Sequence, residues 1–381
     1  MEPLVILGTG LAGYTVAREW RRLEPAAPLL LLTRDGGEFY SKPTISNALA
    51  SGKDAQSVAN AKAAEMARQL AAEVRVRTPV EGIDCAGHQV LLGGGSVRYS
   101  RLLLALGADP IRLPLAGDGA ADVLSVNDLD DYARLRARLP GRSRILVLGA
   151  GLIGCEFAND FAGAGYEVTV ADPAGAPLSR LLPPTAGNAL RDALARAGVA
   201  WRLGDGVQDV SVAGSGYRVR YLSGAEDGCD LVLSAVGLRP RTAMAEAAGL
   251  RVGRGIVVDR QLRSSDPEVF ALGDCAEVAG LVLPYVMPIM HAARALARTL
   301  AGEPTGVSYP AMPVVVKTPA WPTVVSPPPL GATGDWETEV SSTGVRALFR
   351  GPAGDLLGFA LSGDALAEKG ALTRQVPPVL P

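Results

Sequence analysis

The sequence predicts an α/β fold with two similar strand–helix–strand halves and a small α+β domain at its C-terminal end. Two glycine-rich turns, 141 residues apart, each follow a short apolar run and open a helical stretch. A proline-rich stretch, with 8 of the 28 prolines between Pro304 and Leu330, separates these halves from the remaining tail. The 381 residues suffice for two to three domains of roughly 100–200 residues each.

The first half begins with a buried parallel strand. Residues 3–7 form a short apolar run, and the motif Gly-Thr-Gly-Leu-Ala-Gly follows at residues 8–13. A helical stretch from Tyr14 to Leu23 and a second apolar strand at Leu29–Leu32 complete this unit.

The second half repeats the same order of elements. Its apolar run is Arg144–Leu148, and the motif Gly-Ala-Gly-Leu-Ile-Gly occupies residues 149–154. The next helix reaches about Phe161, glycines at 163 and 165 end it, and a strand follows at residues 167–170.

A glycine motif of this spacing is weak evidence alone, because ordinary strand–helix turns also contain glycine. Here each copy follows a strand, opens a helix and reaches another strand within about 25 residues. The glycines permit a tight turn and a close approach of a pyrophosphate to the helix N-terminus. Both halves are therefore predicted to be Rossmann-like three-layer dinucleotide-binding domains.

The ends of the second strands differ between the halves. Asp172 lies 23 residues after Gly149, where a carboxylate accepts hydrogen bonds from ribose hydroxyls and repels a 2′-phosphate. The second site should therefore prefer NAD(H) to NADP(H). The first half has no acid at the matching position, and the strand ends Thr33-Arg34-Asp35. Either Asp35 reaches back to the ribose or the ribose is held otherwise.

Further strands are expected where the chain passes between the two halves. Residues 101–110 and 231–240 have the same pattern, and each predicts a crossover between domains. Residues 269–274 form another apolar strand that ends in an acid. A helix is expected from Met287 to Leu300, and two short strands at 314–316 and 323–325.

Composition and charge exclude several classes of function. The formal charge of −2 argues against a nucleic-acid partner, and no apolar run approaches the ~20 residues of a membrane span. The four cysteines form no CxxC pair and no metal-ligand spacing, so we expect reduced thiols and no metal site. Because the chain starts Met-Glu-Pro without a basic leader, we expect a cytoplasmic protein.

Several motifs together resemble one family of flavoproteins. They are the two glycine turns, Ala105-Leu106-Gly107, Tyr40-Ser41-Lys42-Pro43, residues 154–160 (Gly-Cys-Glu-Phe-Ala-Asn-Asp), residues 271–275 (Ala-Leu-Gly-Asp-Cys) and Val316-Lys317-Thr318-Pro319. Over nearly its whole length the chain resembles the rubredoxin–NAD(+) reductases of bacterial alkane oxidation. The resemblance implies FAD in the first site, NADH in the second and rubredoxin, a small iron protein, as the electron acceptor.

The resemblance also implies domain bounds and site residues. Residues 1–110 and 242–310 would bind FAD, residues 111–241 NAD, and residues 311–381 would form the C-terminal domain. The implied cofactor-binding residues are Gly8, Thr9, Gly10, Leu11, Ala12, Gly13, Thr33, Arg34, Lys42, Val80, Ala105, Gly149, Gly151, Ile153, Gly154, Glu156, Asp172, Gly237, Asp274, Val286 and Lys317.

Three of these residues are the expected catalytic groups: Lys42, Glu156 and Lys317. A lone lysine is usually a surface residue, but Pro43 restricts Lys42 to an extended backbone, and an apolar strand precedes Lys317. A cation near the flavin raises its reduction potential. Glu156 would lie between the nicotinamide and flavin pockets, although an acid also simply favours a helix N-terminus.

The residues that are missing narrow the choice of electron acceptor. Residues 40–49 contain no cysteine, and the only histidines are His88 and His291, so the cysteine chemistry of disulfide reductases is excluded. The electrons must pass to an external acceptor, which suits rubredoxin. A reductase of [2Fe–2S] ferredoxin remains the alternative, although such enzymes usually carry a longer C-terminal domain. A flavin-bound sensor and a two-electron reductase of another acceptor are further alternatives.

Overall fold

The structure is a computed structural model that describes residues 2–381. A 3-10 helix at Lys42–Asn47 lies within the first part of the chain. The other elements up to residue 110 are β1 (Leu4–Leu7), α1 (Leu11–Leu23), β2 (Leu29–Leu32), α2 (Ala55–Val58), α3 (Ala63–Leu70), β3 (Glu73–Arg75), β4 (Val80–Asp84), β5 (Gln89–Leu92), β6 (Gly95–Arg98), β7 (Arg101–Leu104) and β8 (Ala108–Pro110).

The middle of the chain contains the second glycine turn. Its elements are α4 (Leu129–Arg138), β9 (Arg144–Leu148), α5 (Leu152–Gly163), β10 (Glu167–Asp172), α6 (Pro184–Arg196), β11 (Val199–Leu203), β12 (Val207–Ala213), β13 (Gly216–Tyr221), β14 (Glu226–Cys229), β15 (Leu231–Ser234) and β16 (Leu238–Pro240). A short 3-10 helix at Ala120–Asp122 precedes them.

The remaining elements form two groups. The first group is α7 (Ala243–Ala247), β17 (Ile256–Val258), β18 (Val269–Ala271), β19 (Ala276–Val278) and α8 (Val286–Leu300). The second group is β20 (Val314–Val316), β21 (Thr323–Ser326), β22 (Asp335–Val340), β23 (Gly344–Arg350), β24 (Leu356–Gly363) and α9 (Lys369–Thr373), with a 3-10 helix at Asp364–Glu368.

Two parallel sheets organise the larger part of the molecule. The first has the order β18-β7-β1-β2-β3 and the second the order β11-β10-β9-β15. All residues of β1 and β2 are buried, which explains why both strands are continuous apolar runs. The first glycine turn leaves the carboxyl end of β1 and the second leaves that of β9, the edge where open α/β sheets bind ligands.

The chain passes between the two parallel sheets twice, and the crossing segments lie side by side. β8 follows β7 and β16 follows β15, and the two pair as an antiparallel ribbon with Asp109 opposite Arg239. This confirms crossovers at both predicted segments. Smaller antiparallel sheets accompany each parallel sheet: β4-β5-β6 with the first and β12-β13-β14 with the second.

The C-terminal part is a five-stranded antiparallel sheet in the order β20-β21-β24-β23-β22. Its buried face joins the core of the second parallel sheet through residues such as Val325 and Ala360. Residues Ile45, Ala48 and Val58 from the first part of the chain lie in this same core. The segment that carries Lys42 is therefore held between the second parallel sheet and the C-terminal sheet.

Candidate active site

The first glycine turn is built to let a ligand approach its backbone. Gly8 has φ +108°, and a Cβ there would lie 2.3 Å from the carbonyl oxygen of Ala105. A Cβ at Gly13 would lie 2.0 Å from the carbonyl oxygen of Gly8, so helix α1 packs closely against the turn. A Cβ at Gly10 would meet nothing within 4 Å. The open space at the N-terminus of α1 fits the pyrophosphate of a dinucleotide.

The second glycine turn has the same construction. Gly149 has φ +101°, and a Cβ at Gly154 would lie 1.9 Å from the carbonyl oxygen of Gly149. A Cβ at Gly151 would meet nothing within 4 Å. Both turns therefore show the division of roles expected of a dinucleotide site: a tight turn, an open position and a close helix contact.

Asp172 lies at the end of β10, next to the second glycine turn. Its two carboxylate oxygens each accept a hydrogen bond of 2.7 Å, one from the backbone N–H of Ala150 and one from that of Ala174. The carboxylate is thus fixed beside the turn, where it would meet the ribose of a bound dinucleotide. The sequence indicated the position of Asp172 but not this role in holding the turn.

Asp35 lies beside the first glycine turn. Its Oδ1 accepts hydrogen bonds from Thr33 Oγ1 at 2.6 Å, from the Gly37 N–H at 2.9 Å and from Thr9 Oγ1 at 3.4 Å. The carboxylate therefore lies between the end of β2 and the glycine turn. Asp35 is a residue at the first site that the predicted set did not contain.

Lys42 and Asp274 form an ion pair at the first site, with Nζ 4.0 Å from Oδ2. Gly273, with φ +87°, brings its neighbour Asp274 to the N-terminus of α1, where a Cβ at Gly273 would lie 2.9 Å from Ala12 Cβ. Burial lowers the pKa of Lys42 and raises the pKa of Asp274, and the attraction between the two groups partly offsets both shifts.

Glu156 and Lys317 lie together, which the sequence did not indicate. The Glu156 side chain is fully buried in α5, and its Oε2 lies 2.9 Å from Lys317 Nζ. Its Oε1 accepts the backbone N–H of Lys317 at 2.9 Å, and Oε2 also accepts the hydroxyl of Ser46 at 2.5 Å. Lys317 Nζ donates a further hydrogen bond to the carbonyl oxygen of Pro43.

A second buried carboxylate on α5 fixes the segment after Lys42. The oxygens of Asp160 accept the backbone N–H groups of Leu49 and Ala50, both at 2.9 Å. Burial raises the pKa of Asp160, although these two amides act to lower it. Because Glu156 and Asp160 lie one helical turn apart, α5 holds the Lys42 segment at two points.

Arg241 is a cation that sequence reasoning missed. Its guanidinium donates to Asp109 Oδ1 from Nε at 2.7 Å and to the carbonyl oxygen of Leu106 from Nη1 at 2.7 Å. Arg34 approaches the same carboxylate at 3.7 Å. Burial acts to raise the pKa of Asp109, but the two guanidinium groups outweigh it and lower that pKa. Arg241, which follows β16, thus stabilises the ribbon of β8 and β16 next to the first site.

Five further predicted site residues lie at the ends of strands, in turns or at the starts of helices. Ala105 faces Gly8, Gly237 has φ +117° after β15, and Val286 begins helix α8. Val80 begins β4, two residues after Thr78, whose N–H bonds the carbonyl oxygen of Thr33. Ile153 lies on the first turn of α5 and is 38% exposed.

The cysteines form no disulfide within residues 2–381. All four are free, and Cys155, Cys229 and Cys275 are buried. Burial raises the pKa of each, to about 12 for Cys229 and about 11 for Cys275. In the same residues no group of three or more His, Cys, Asp or Glu side chains could hold a metal ion. No helix in the described part of the chain is long and apolar enough to cross a membrane.

Two known protein families match this chain. Residues 2–298 match the family described as pyridine nucleotide-disulphide oxidoreductase. The chain belongs to this family. Residues 306–376 match a second family, described as the rubredoxin-binding C-terminal domain. The second match covers the five-stranded sheet and the strand that delivers Lys317.

Several named reductases are similar in sequence to this chain over nearly its whole length. It is 47% identical to the rubredoxin-NAD(+) reductase of Alcanivorax borkumensis, with all of both chains covered. It is 44% identical to the enzyme of that name from Acinetobacter baylyi, covering 100% of this chain and 99% of the relative. It is 40% identical to the nitric oxide reductase FlRd-NAD(+) reductase of Aeromonas hydrophila, covering 98% and 96%.

Solved structures show the same fold. The ferredoxin reductase for the CYP199A2 system of Rhodopseudomonas palustris superposes with a TM-score of 0.89 at 27% identity, covering 99% of this chain and 96% of that chain. Putidaredoxin reductase in covalent complex with putidaredoxin gives 0.88 at 26%, covering 99% and 94%. The predicted family, fold class and cofactor pair are confirmed: the protein is an oxidoreductase that uses FAD and NAD(H). Because the ferredoxin reductase is covered almost completely, the length of the C-terminal domain does not separate the two classes of acceptor.

Proposed function

We propose that this protein transfers electrons from NADH, through bound FAD, one at a time to rubredoxin. The observation that carries the proposal is the match of residues 306–376 to the rubredoxin-binding domain, because that segment also supplies Lys317 to the candidate active site. The full-length similarity to two rubredoxin-NAD(+) reductases supports the same acceptor. The absence of a cysteine between residues 40 and 49 removes the internal acceptor that disulfide reductases use.

The proposed domains follow the sheets. Residues 1–110 and 242–310 would bind FAD at the Gly8–Gly13 turn, and residues 111–241 would bind NADH at the Gly149–Gly154 turn. Residues 311–381 would form the acceptor domain. When bound, FAD supplies the chemistry that converts one two-electron donor into two single-electron transfers.

The chain's own residues would hold and separate the two cofactors. Asp172 would bind the NADH ribose and disfavour a 2′-phosphate. Asp274 and Lys42 would hold the FAD at the first site. Lys42 and Lys317 would supply positive charge where negative charge develops. Glu156, fully buried between the NAD turn and the Lys42 segment, would hold the backbone N–H of Lys317 in place.

Stopped-flow mixing tests the proposal directly. Enzyme reduced by NADH in the absence of oxygen is mixed with rubredoxin and, separately, with a [2Fe–2S] ferredoxin. We expect rubredoxin to reoxidise the flavin at least tenfold faster at equal concentration. Preferential reoxidation by ferredoxin would overturn the assignment and favour the ferredoxin reductase, whose fold the chain shares at 27% identity.

We also propose a cellular setting. The reduced rubredoxin would feed alkane hydroxylation or a similar electron-transfer chain, and the enzyme would act in the cytoplasm, where NADH is regenerated. Cells that lack the protein should then lose growth on a medium-chain alkane but not on the corresponding fatty acid. Equal growth on both substrates would contradict the role in alkane oxidation.

A further inference from the structure

Ser46 lies at the meeting point of three parts of the chain. It belongs to the 3-10 helix that begins at Lys42, and it is 3% exposed. Its Oγ lies 2.5 Å from Glu156 Oε2 and 3.3 Å from the carbonyl oxygen of Pro43. The Asn47 side-chain N–H donates to Ser46 Oγ at 3.4 Å.

These contacts decide where the Ser46 proton points. A hydroxyl has one proton, and the Asn47 amide uses a lone pair of Oγ, so the proton must go to Glu156 or to Pro43. The Glu156 carboxylate is closer by 0.8 Å, and charge-assisted hydrogen bonds are the shorter and stronger ones. Ser46 is therefore a donor to Glu156.

Lys317 is the second side chain that donates to Glu156 Oε2, and it is longer and more exposed than Ser46. Lys317 Nζ lies 2.9 Å from Glu156 Oε2, but its side chain is 34% exposed and also donates to the carbonyl oxygen of Pro43. A long, partly exposed lysine can turn to another acceptor, whereas the short, buried Ser46 side chain cannot. If Lys317 turns away, Ser46 is the side-chain donor that still faces this oxygen.

We propose that Ser46 is a positioning residue: its hydroxyl holds the Glu156 carboxylate in place, so that Lys317 Nζ can turn from Glu156 toward the cofactors without leaving Oε2 unpaired. A buried carboxylate oxygen without a donor is costly, so the loss of Ser46 would tie Lys317 Nζ to Glu156 Oε2. This inference rests on the proposed transfer of electrons from NADH to FAD. It does not depend on the identity of the final acceptor.

The test measures flavin reduction by NADH in the FAD-loaded enzyme, using Ser46→Ala and Ser46→Thr. We expect Ser46→Ala to lower the limiting rate about tenfold, the loss of one hydrogen bond to a charged group. The apparent dissociation constant of NADH and the FAD content should stay within twofold of wild type. Ser46→Thr restores the hydroxyl and should recover most of the rate. Ser51→Ala is the matched control, because Ser51 is exposed and its hydroxyl bonds only backbone carbonyls of Asn47 and Ala48.

Measuring Ser46→Ala in an enzyme that also carries Glu156→Gln distinguishes a positioning role of Ser46 from a purely structural one. In Glu156→Gln enzyme there is no charge to stabilise, so adding Ser46→Ala should change the rate by less than about twofold. The thermal unfolding midpoint, which does not depend on turnover, should show the same pattern: a fall of about 2 °C or more with Glu156 present and a smaller one with Gln.

Three results would overturn the proposal. They are an equal loss of rate in both backgrounds, a wild-type rate in FAD-loaded Ser46→Ala enzyme, or the same loss in Ser51→Ala. A wild-type enzyme that NADH reduces but that fails to reduce rubredoxin would instead refute the proposed acceptor. That outcome would leave the measurements on Ser46 valid.

Discussion

Glu156 and Lys317 are separated by 161 positions in the sequence, yet they are joined by two contacts, Oε2 to Nζ and Oε1 to the backbone N–H, both of 2.9 Å. The carboxylate is fully buried and the lysine side chain is 34% exposed. An unpaired charge at the Glu156 position would be strongly destabilising, so the pair connects helix α5 to the C-terminal sheet. The same lysine therefore contributes to stability and to the candidate chemistry.

Replacing Lys317 by Ala should affect both properties. We expect flavin reduction by NADH to slow by tenfold or more, because a positive charge is lost where negative charge develops. The free energy of unfolding should fall by about 2 kcal/mol, less than for a pair buried on both sides, because the lysine is partly solvated. Stopped-flow absorbance and thermal unfolding measure the two effects. The control is Lys53→Ala, which removes an exposed lysine side chain, and an equal effect there would contradict the role of Lys317.

The sequence identified Glu156 and Lys317 separately but could not pair them. A glycine turn can be recognised in the sequence, because its backbone conformation requires glycines at fixed spacings within a few residues. A contact across 161 positions leaves no spacing signal in one sequence. Ser46 and Arg241 were missed for the same reason, since each acts through a partner that only folding brings near.

The strands also divide into those that the sequence predicted and those that it did not. The parallel strands were predicted because burial on both faces makes them continuous apolar runs, as in β1 and β9. Strands with a solvated face were not located: β22 has the sequence Asp-Trp-Glu-Thr-Glu-Val and β12 contains Asp209. Helix α1 begins at Leu11, three residues before the predicted start at Tyr14, because Gly10 is its N-cap. The strand predicted to end at Val170 continues to Asp172.

The two kinds of glycine in the NAD turn should respond differently to alanine. Gly154→Ala puts a Cβ 1.9 Å from the Gly149 carbonyl oxygen, so we expect a lower unfolding temperature as well as lost NADH binding. Gly151→Ala meets nothing within 4 Å, so NADH binding should weaken by tenfold or more while the unfolding temperature stays within about 2 °C.

Titration of NADH and thermal unfolding of both glycine variants make this comparison. Bound FAD, read from its visible absorbance, should remain near one per chain in each variant, because the Gly8–Gly13 turn is untouched. Gly163→Ala serves as the control, since its Cβ would lie 3.4 Å from Ala50 Cβ. Unchanged NADH affinity in Gly151→Ala would show that no pyrophosphate lies at this turn.

Asp172 should set the choice of nicotinamide cofactor. We expect at least tenfold higher kcat/KM with NADH than with NADPH, because a 2′-phosphate beside the carboxylate costs more than about 1.4 kcal/mol. Asp172→Ala should reduce the ratio of kcat/KM with NADH to kcat/KM with NADPH. Because Asp172 also holds the N–H groups of Ala150 and Ala174, much of the change should be a loss with NADH rather than a gain with NADPH. Equal turnover of the wild type with both cofactors would show that Asp172 does not face the ribose.

The cysteines should be dispensable for electron transfer. Burial raises the pKa of Cys275 to about 11 and that of Cys229 to about 12, and it also raises the pKa of Cys155 and of the half-buried Cys85. Since a thiol reacts as the thiolate, these raised pKa values favour the protonated, less reactive form of all four near pH 7. Between pH 6 and pH 9 the rate of rubredoxin reduction should therefore show no increase that depends on these residues.

A variant with all four cysteines replaced by Ser or Ala tests this expectation. NADH-driven reduction of rubredoxin should stay within a few-fold of wild type, with a lower unfolding temperature because Cys155 and Cys275 are fully buried and pack as small apolar side chains. The same pH profile in the variant and the wild type would confirm that no thiol takes part. Loss of activity on replacing a single cysteine, with FAD retained and the unfolding temperature unchanged, would instead demonstrate a thiol relay, because the electrons would then leave the flavin through sulfur rather than directly.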